Sequence, residues 1–357
     1  MYSKIIIENF RGISRLDFND LKQFNLIVGK NNSCKTTVLE SIFLLTGPTN
    51  PHLPIIINAL RGSNITNDYS WSLFFSQLNI ESYIRLYGEI IKPEKNLYLI
   101  IKPLFETPIL KRLNTNGPDR ITSGQTESSK KLNGLSFDFT MEEKKSRMQE
   151  NFSYQIHSDN DGKNLQGDLH IFQHPLKGIF IHANYGFNDN TRRFNEIQIK
   201  KQGKRILEIV QKFEPLIQDL SVGSDNILYC DVGFKELVPI NMVGEGINRL
   251  LSIILAIYAT SNGVVLFDEV ENGFHYSALE FLWEAIFQAA TEFNVQVFAT
   301  THSFENIKAY SSAYEKLGTN RDDMRLFRLE KEKEAIELIS LDHELLKTTL
   351  ENNLEIR

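Results

Sequence analysis

Lys35 and Thr36 follow Gly29 and a short polar run within Phe24 to Glu40, FNLIVGKNNSCKTTVLE. A glycine, a polar turn, a lysine and a hydroxyl residue in that order suit a phosphate-binding loop. Backbone N–H groups and the positive end of a helix surround a polyphosphate, the lysine adds charge, and the hydroxyl helps to hold Mg²⁺. Asn31, Asn32, Ser33 and Thr37 complete the loop. Before it lies an apolar strand, Phe24 to Val28, and after it a helix with Val38, Leu39, Ile42, Phe43 and Leu45 on one face. The pattern G-x-x-x-x-G-K-[ST] is met except at its second glycine, where the chain has Cys34. A Cβ there narrows the cradle, or strains the backbone if the position needs an unusual φ. A thiol beside phosphate-binding amides is expected to have a lowered pKa.

A second chemical group lies in VVLFDEVENGFH, Val264 to His275, where an apolar strand delivers Asp268 and Glu269 at its C-terminal end. Ligands of open α/β sheets bind at that end. Asp268 is placed to hold Mg²⁺, and Glu269 to orient or deprotonate the water that attacks a γ-phosphate. In FATTHSFE a further strand, from Val295, ends at Thr300, Thr301, His302 and Ser303, which puts His302 in reach of the same phosphate or water. In NMVGEGINRLL, Gly244 and Gly246 open a helix with exposed N–H groups, which attract anions. Glu245 between them is a poor neighbour for a polyphosphate, so this is no second loop of the same sort.

These residues need strands and helices to hold them, and the chain supplies both. Short strands at Lys4 to Phe10 and Leu16 to Phe18 lead into Phe24 to Val28, and strands of a meander are predicted at Ser82 to Ile91, Leu97 to Pro103, Leu135 to Thr140 and Asn151 to His157. The polar run within 114–133 reads as a mobile loop. Beyond it, Gly178 to His182 reads as a strand, Phe194 to Phe213 contains a long charged helix, ILEIVQKF, closed by Pro215, and Ile227 to Ile240 is a pair of strands. A helix from Gly246 to Thr260, a strand Val264 to Phe267, a helix Ser277 to Phe293, a strand Val295 to Thr300 and a short helix after Ser303 follow. Met324 to Leu329 and Ala335 to Leu341 look like an edge hairpin before a final helix. Helices between wholly apolar strands imply an α/β fold with a largely parallel sheet covered on both faces.

Composition sets outer bounds. With 41% hydrophobic residues, 357 residues can build a sizeable core. A net charge of −6 argues against an indiscriminate nucleic-acid coat, while a local basic patch stays open. Two cysteines make neither a disulfide framework nor a zinc cluster. The longest apolar-rich run, Leu250 to Tyr258, is too short to cross a bilayer, and MYSKIIIENF lacks a signal peptide's apolar region, so a cytoplasmic location is expected.

In order and spacing, GKNNSCKT, MVGEGINRLL, VVLFDEVENG and FATTHS resemble the phosphate loop, signature, Walker B and His-switch of ABC-type ATPase heads, in the branch with SMC, RecF and OLD-family proteins. The opening IIIENFRGI is similar to that branch's first strand. The resemblance covers 1–50 and 175–310 as one P-loop NTPase core, with 51–174 as a β-rich insertion and 311–357 as a C-terminal hairpin and helix. It implies ATP and Mg²⁺ as ligands. Gly29, Asn31, Asn32, Ser33, Cys34, Lys35, Thr36 and Thr37 would surround the phosphates, with Thr36 and Asp268 at the metal, Glu269 as base and His302 as sensor. Gly244 and Gly246 would close over ATP held by a second copy in a head-to-tail dimer. A Q-loop glutamine has two candidates, Gln155 and Gln173. The family also implies an effector partner in phage defence or DNA maintenance, possible nucleic-acid contact and no membrane. Rival readings are a binding module with vestigial turnover, which Cys34 favours, and an OLD-like nuclease component, for which the stretch after His302 is too short to hold a Toprim domain.

Overall fold

An N-terminal hairpin of β1 (Tyr2–Phe10) and β2 (Ile13–Phe18), turning at Arg11-Gly12, leads into β3 (Phe24–Val28) and then α1 (Lys35–Thr46). Two short helices, α2 (Leu53–Leu60) and α3 (Asp68–Ser72), precede β4 (Ile84–Ile90), β5 (Lys95–Phe105), β6 (Leu132–Glu143), β7 (Gln149–Ser158) and β8 (Leu165–Gly167). After β9 (Gly178–Ile181) come α4 (Asn190–Ile199), α5 (Gly203–Phe213), β10 (Asp219–Val222), β11 (Leu228–Asp231), β12 (Val238–Pro239), α6 (Ile240–Val243) and α7 (Glu245–Ala259). The last part holds β13 (Val264–Phe267), α8 (Leu279–Glu292), β14 (Gln296–Thr301), α9 (Phe304–Lys316), β15 (Met324–Glu332), β16 (Ala335–Leu341) and α10 (His343–Glu351). The computed structural model describes all residues except 64–67, 106–130, 159–164, 168–171, 173, 184–188, 319–320, 333–334, 353, 355 and 357.

The strands form two large sheets and a small one. In the first, ordered β16-β15-β3-β14-β13-β9, every pair is parallel except β15 with the edge strand β16. All of β3 and β13 is buried, as strands covered on both faces must be. Alternation splits each strand between two cores: Val265 and Phe267 pack with α7 and α8, while Val264 and Leu266 pack with α1 and the second sheet. The second sheet, ordered β2-β1-β4-β5-β6-β7-β8, is antiparallel throughout. Because β1 pairs with both β2 and β4, the strands within 51–174 continue the sheet of the N-terminal hairpin. The family fold expected from the sequence, a P-loop NTPase with a mixed, mostly parallel sheet flanked by helices, is the fold observed.

Several elements differ from expectation. The predicted charged helix ILEIVQKF is the body of α5, and a further helix, α4, precedes it, the two separated where Lys201 adopts φ 58 before Gly203. The helix after Ser303 runs for 13 residues; the Ser303 hydroxyl accepts the Asn306 N–H and so caps it. Of the predicted hairpin near the end, β15 is no edge strand: it pairs in parallel with β3, beside the phosphate loop. A third strand, β10, joins the pair expected within Ile227 to Ile240. Most of the predicted loop 114–133 lies outside the described residues, and Leu132 and Asn133 already belong to β6.

One buried amide ties the two sheets together. Gln296, at the start of β14, accepts the N–H of Tyr2 at 2.7 Å and donates to the carbonyls of Tyr2 at 2.8 Å and Lys22 at 2.7 Å. Its side chain thereby stands in for one residue of a β-ladder. Gln296→Leu keeps the volume but takes a hydrogen bond from three backbone groups, of which the Lys22 carbonyl keeps the Asn25 amide, so stability should fall by about 2–4 kcal/mol. Urea unfolding checks this, and an unchanged midpoint would remove Gln296 from the account of sheet docking.

Candidate active site

The C-terminal ends of the parallel strands β3, β14, β13 and β9 lie side by side, and the segments leaving them build the site. Gly29 follows β3 with φ 152, and a Cβ there would come within 2.6 Å of both the Leu329 carbonyl and the Ser33 hydroxyl. Only glycine passes between β15 and the loop. At the far end of the loop Cys34 has φ 68 and ψ 20, the left-handed conformation, and α1 starts directly after it. The position therefore needs the backbone that glycine normally supplies, and the cysteine holds it at a cost of about 1 kcal/mol.

Room for the thiol comes from the β1–β2 turn. A Cβ on Gly12 would sit 2.7 Å from the Cys34 sulfur, so the bare backbone of Gly12 accommodates the side chain that replaces the loop glycine. Burial pushes the Cys34 thiol up, against the expected lowering, and the nearby cations Lys331, Arg61 and Lys35 offset only part of that.

Within the loop, the Lys35 ammonium donates to the carbonyls of Gly29 at 2.7 Å and Lys30 at 3.0 Å. Burial lowers its pKa, with the carboxylates of Glu269 and Asp268 opposing the shift. The buried Ser33 hydroxyl has no hydrogen-bond partner among the described residues, an orphan that a phosphate oxygen would satisfy. Asn31, Asn32 and Thr37 line the same cleft, of about 730 Å³, as Lys35, Asp268 and Glu269.

Asp268 is the meeting point. Thr36 donates to its carboxylate at 3.0 and 3.2 Å, Thr300 at 2.8 Å, and Nε2 of His182 stands 3.6 Å from Oδ2. A hydroxyl and a carboxylate in contact at a phosphate loop form a donor set of hard oxygens that suits Mg²⁺ beside phosphate. Glu269 is held in a strained backbone, φ 46, with its N–H on the Thr300 hydroxyl at 2.9 Å and its carboxylate accepting from Asn272 at 2.9 Å. His302 lies with Nδ1 3.6 Å from Glu269 and 3.7 Å from Glu271.

Three groups in this arrangement escaped the sequence reading. Glu271 accepts from the Thr301 hydroxyl at 2.6 Å, the His302 N–H at 3.3 Å and Asn306 at 3.2 Å, and Asn306 in turn is fixed by Trp283 at 2.7 Å. It positions the histidine turn. Glu40, 1% exposed on α1, pairs with Arg11 at 2.9 Å and Arg61 at 2.6 Å, and Arg61 also donates to Thr37. Two guanidinium groups on one carboxylate leave net positive charge on the cleft wall. The third is His182, at the end of β9. Of the two glutamine candidates, Gln155 lies in β7 opposite Ser136, and Gln173 falls outside the described residues. The strand beside β13 instead delivers a histidine.

Gly244, with φ 161 and ψ 145, precedes α7, and Gly246 sits in the first turn, 3.0 Å from the Gly273 carbonyl by its would-be Cβ. Neither glycine lines the cleft of the phosphate loop among the described residues. From the same helix, the buried Arg249 donates to the carbonyls of His182 at 3.0 Å and Asp268 at 3.1 Å. Helix α7 is thus bonded to the chain at the ends of both β9 and β13.

A parallel sheet with a phosphate loop, an Asp-Glu pair and a histidine turn at its strand ends is the layout of a P-loop NTPase of ABC type. The chain belongs to the family described as AAA domain, putative AbiEii toxin, Type IV TA system, which matches residues 116–307. A Helicobacter pylori protein named ATP/GTP phosphatase is 25% identical over 356 residues, covering 86% of this chain and 87% of that one. The DNA replication and repair protein RecF of Aliivibrio fischeri is 32% identical over 130 residues, 36% of this chain and 29% of its own. The Smc head domain of Pyrococcus furiosus, solved bound to the C-terminal domain of ScpA, has a TM-score of 0.49 at 10% identity over 99% of both chains. No helix among the described residues is long and apolar enough to cross a membrane.

The packing of Gly12 against Cys34 predicts a non-additive mutant pair. Gly12→Ala should destabilise the protein, and Cys34→Gly should stabilise it by about 1 kcal/mol. Combined, the alanine should become nearly harmless, giving a coupling of at least about 1 kcal/mol in a double-mutant cycle. Thermal unfolding of the four proteins measures it, and additive effects would show that the two positions do not interlock.

Proposed function

We propose that this protein is an ATP-hydrolysing switch in which ATP joins two copies head to tail and hydrolysis releases them. The observation that carries this reading is the Thr36 hydroxyl on the Asp268 carboxylate at 3.0 Å, a contact joining the phosphate loop to the end of the neighbouring strand system. When bound there, Mg²⁺ would neutralise phosphate charge. Lys35 would exchange its carbonyl partners for phosphate oxygens, and the loop amides with the Ser33 hydroxyl would fix the chain of phosphates. Glu269, its carboxylate steadied by Asn272, would accept a proton from the attacking water. His302, set by Glu271, would touch the γ-phosphate.

The dimer is supported by what one chain leaves open. Gly244 and Gly246 present a helix start away from their own cleft, and Met242 beside them is 75% exposed. Facing copies related by a two-fold axis would place each turn over the other's phosphate, burying both. A part in phage defence or DNA maintenance, through a separate effector, is supported by the family resemblance and by the names of the relatives alone.

Lys35→Ala should lose ATP binding, whereas Glu269→Gln should keep ATP and lose turnover by roughly a hundredfold or more. Equal and normal rates in both mutants would overturn the catalytic assignment. For the dimer, Glu269→Gln should scatter as a larger particle with ATP than without it. Lys35→Ala mixed with Gly246→Arg should recover part of the activity that each lacks alone. Tight ATP binding with no change in particle size, and no recovery on mixing, would leave the Gly244 turn as a helix start only.

A further inference from the structure

Beside Asp268, behind the residues that line the cleft, stands a nitrogen that neither the sequence nor the relatives' names assign. His182 ends β9, whose four residues pair in register with β13, so its ring stands beside Asp268 by topology. The ring is 8% exposed, and it lies edge-on to Phe180 at 6.0 Å. Its carbonyl and that of Asp268 are clamped by the same Arg249 guanidinium, which fixes the two backbones relative to each other. Nε2 and Oδ2 are 3.6 Å apart. That exceeds a hydrogen bond, yet adjacent ligands of one octahedral ion, with bonds of about 2.1 Å, stand roughly 3 Å apart. The Thr36 hydroxyl reaches the same carboxylate.

The geometry points to His182 as a nitrogen ligand of the divalent cation shared by Thr36 and Asp268, giving this cleft a preference for a Mn²⁺-nucleotide over a Mg²⁺-nucleotide. Mg²⁺ favours an all-oxygen shell, while imidazole raises the affinity of transition metals over it. With Thr36, Asp268 and phosphate oxygens of the nucleotide, His182 would make a mixed nitrogen and oxygen site.

The inference rests on the reading of the cleft as an ATP site, and one experiment separates the two. Protein labelled with ¹⁵N-histidine is mixed with Mn²⁺ and the non-hydrolysable imido analogue of ATP, and pulsed EPR of the Mn²⁺ is recorded after the bound complex is separated. The expected result is a ¹⁵N coupling of directly bound imidazole in the wild type, lost in His182→Gln and kept in His302→Gln. The preference for Mn²⁺ over Mg²⁺, read by titrating Mg²⁺ against the bound Mn²⁺ signal, should fall roughly tenfold in His182→Gln. Analogue and Mn²⁺ retained by the wild type without a ¹⁵N coupling overturns the ligand assignment while leaving the ATP site intact. A coupling that follows His302 overturns it equally. If the wild type retains no analogue, the ATP reading fails and the metal assignment with it. The wild-type spectrum decides the matter even where a variant does not fold.

Discussion

The buried carboxylate of Asp268 is the constraint from which the rest of the site follows. A carboxylate removed from water is costly unless its oxygens are occupied, and the costs are several kcal/mol when they are not. Here the partners come from three separate segments: the phosphate-loop helix through Thr36, β14 through Thr300 and β9 through His182. None is near Asp268 in the chain, so the group is satisfied only when the strands have the order β3-β14-β13-β9. The same demand that completes the sheet brings the phosphate loop to Asp268 and the histidine turn to Glu269.

How much of this could be read from the sequence depends on whether the signal is contiguous. Phosphate loop, Asp-Glu pair and His302 each follow an apolar strand within a few residues, and alternation of strands and helices was enough to place them on one edge. The left-handed backbone at Cys34 was legible too, because a missing glycine in a known pattern marks the conformation it serves. His182 was not. It ends an unremarkable strand, and only the pairing of β9 with β13 gives it meaning. Gly12 is another such case, a turn glycine by sequence and a socket for a thiol in space. Glu40 lies on the apolar side of α1, where its burial depends on arginines from the first turn and from the segment after α2. The helix α4, missed before α5, ends near Lys201 with no proline to announce it, and the parallel pairing of β15 with β3 has no signature within the edge hairpin itself.

Arg249 links the signature turn to the chemistry. Four residues along α7 its guanidinium passes through the core to two strand-end carbonyls, and a buried guanidinium gives up such bonds only at considerable cost. Any shift of α7 is therefore transmitted to the backbone under His182 and Asp268. The route is short and made of named bonds, which distinguishes it from an argument by proximity.

The place of β3 in the parallel sheet governs how the chain can be made. The strand that carries the phosphate loop is among the first to be synthesised, but its two neighbours, β14 and β15, are among the last. Tyr2 waits for Gln296 across a separation of 294 residues. Such long-range pairing makes folding slow and leaves early strands without partners while the ribosome is still at work. During that interval the N-terminal hairpin can settle only on the antiparallel strands that follow it, and the loop at Gly29 has no wall from Leu329 behind it. Nucleotide thus has no finished seat to stabilise in a nascent chain. Until β15 emerges, protection of the exposed edges of β3 falls to whatever cellular factors hold unfinished polypeptides.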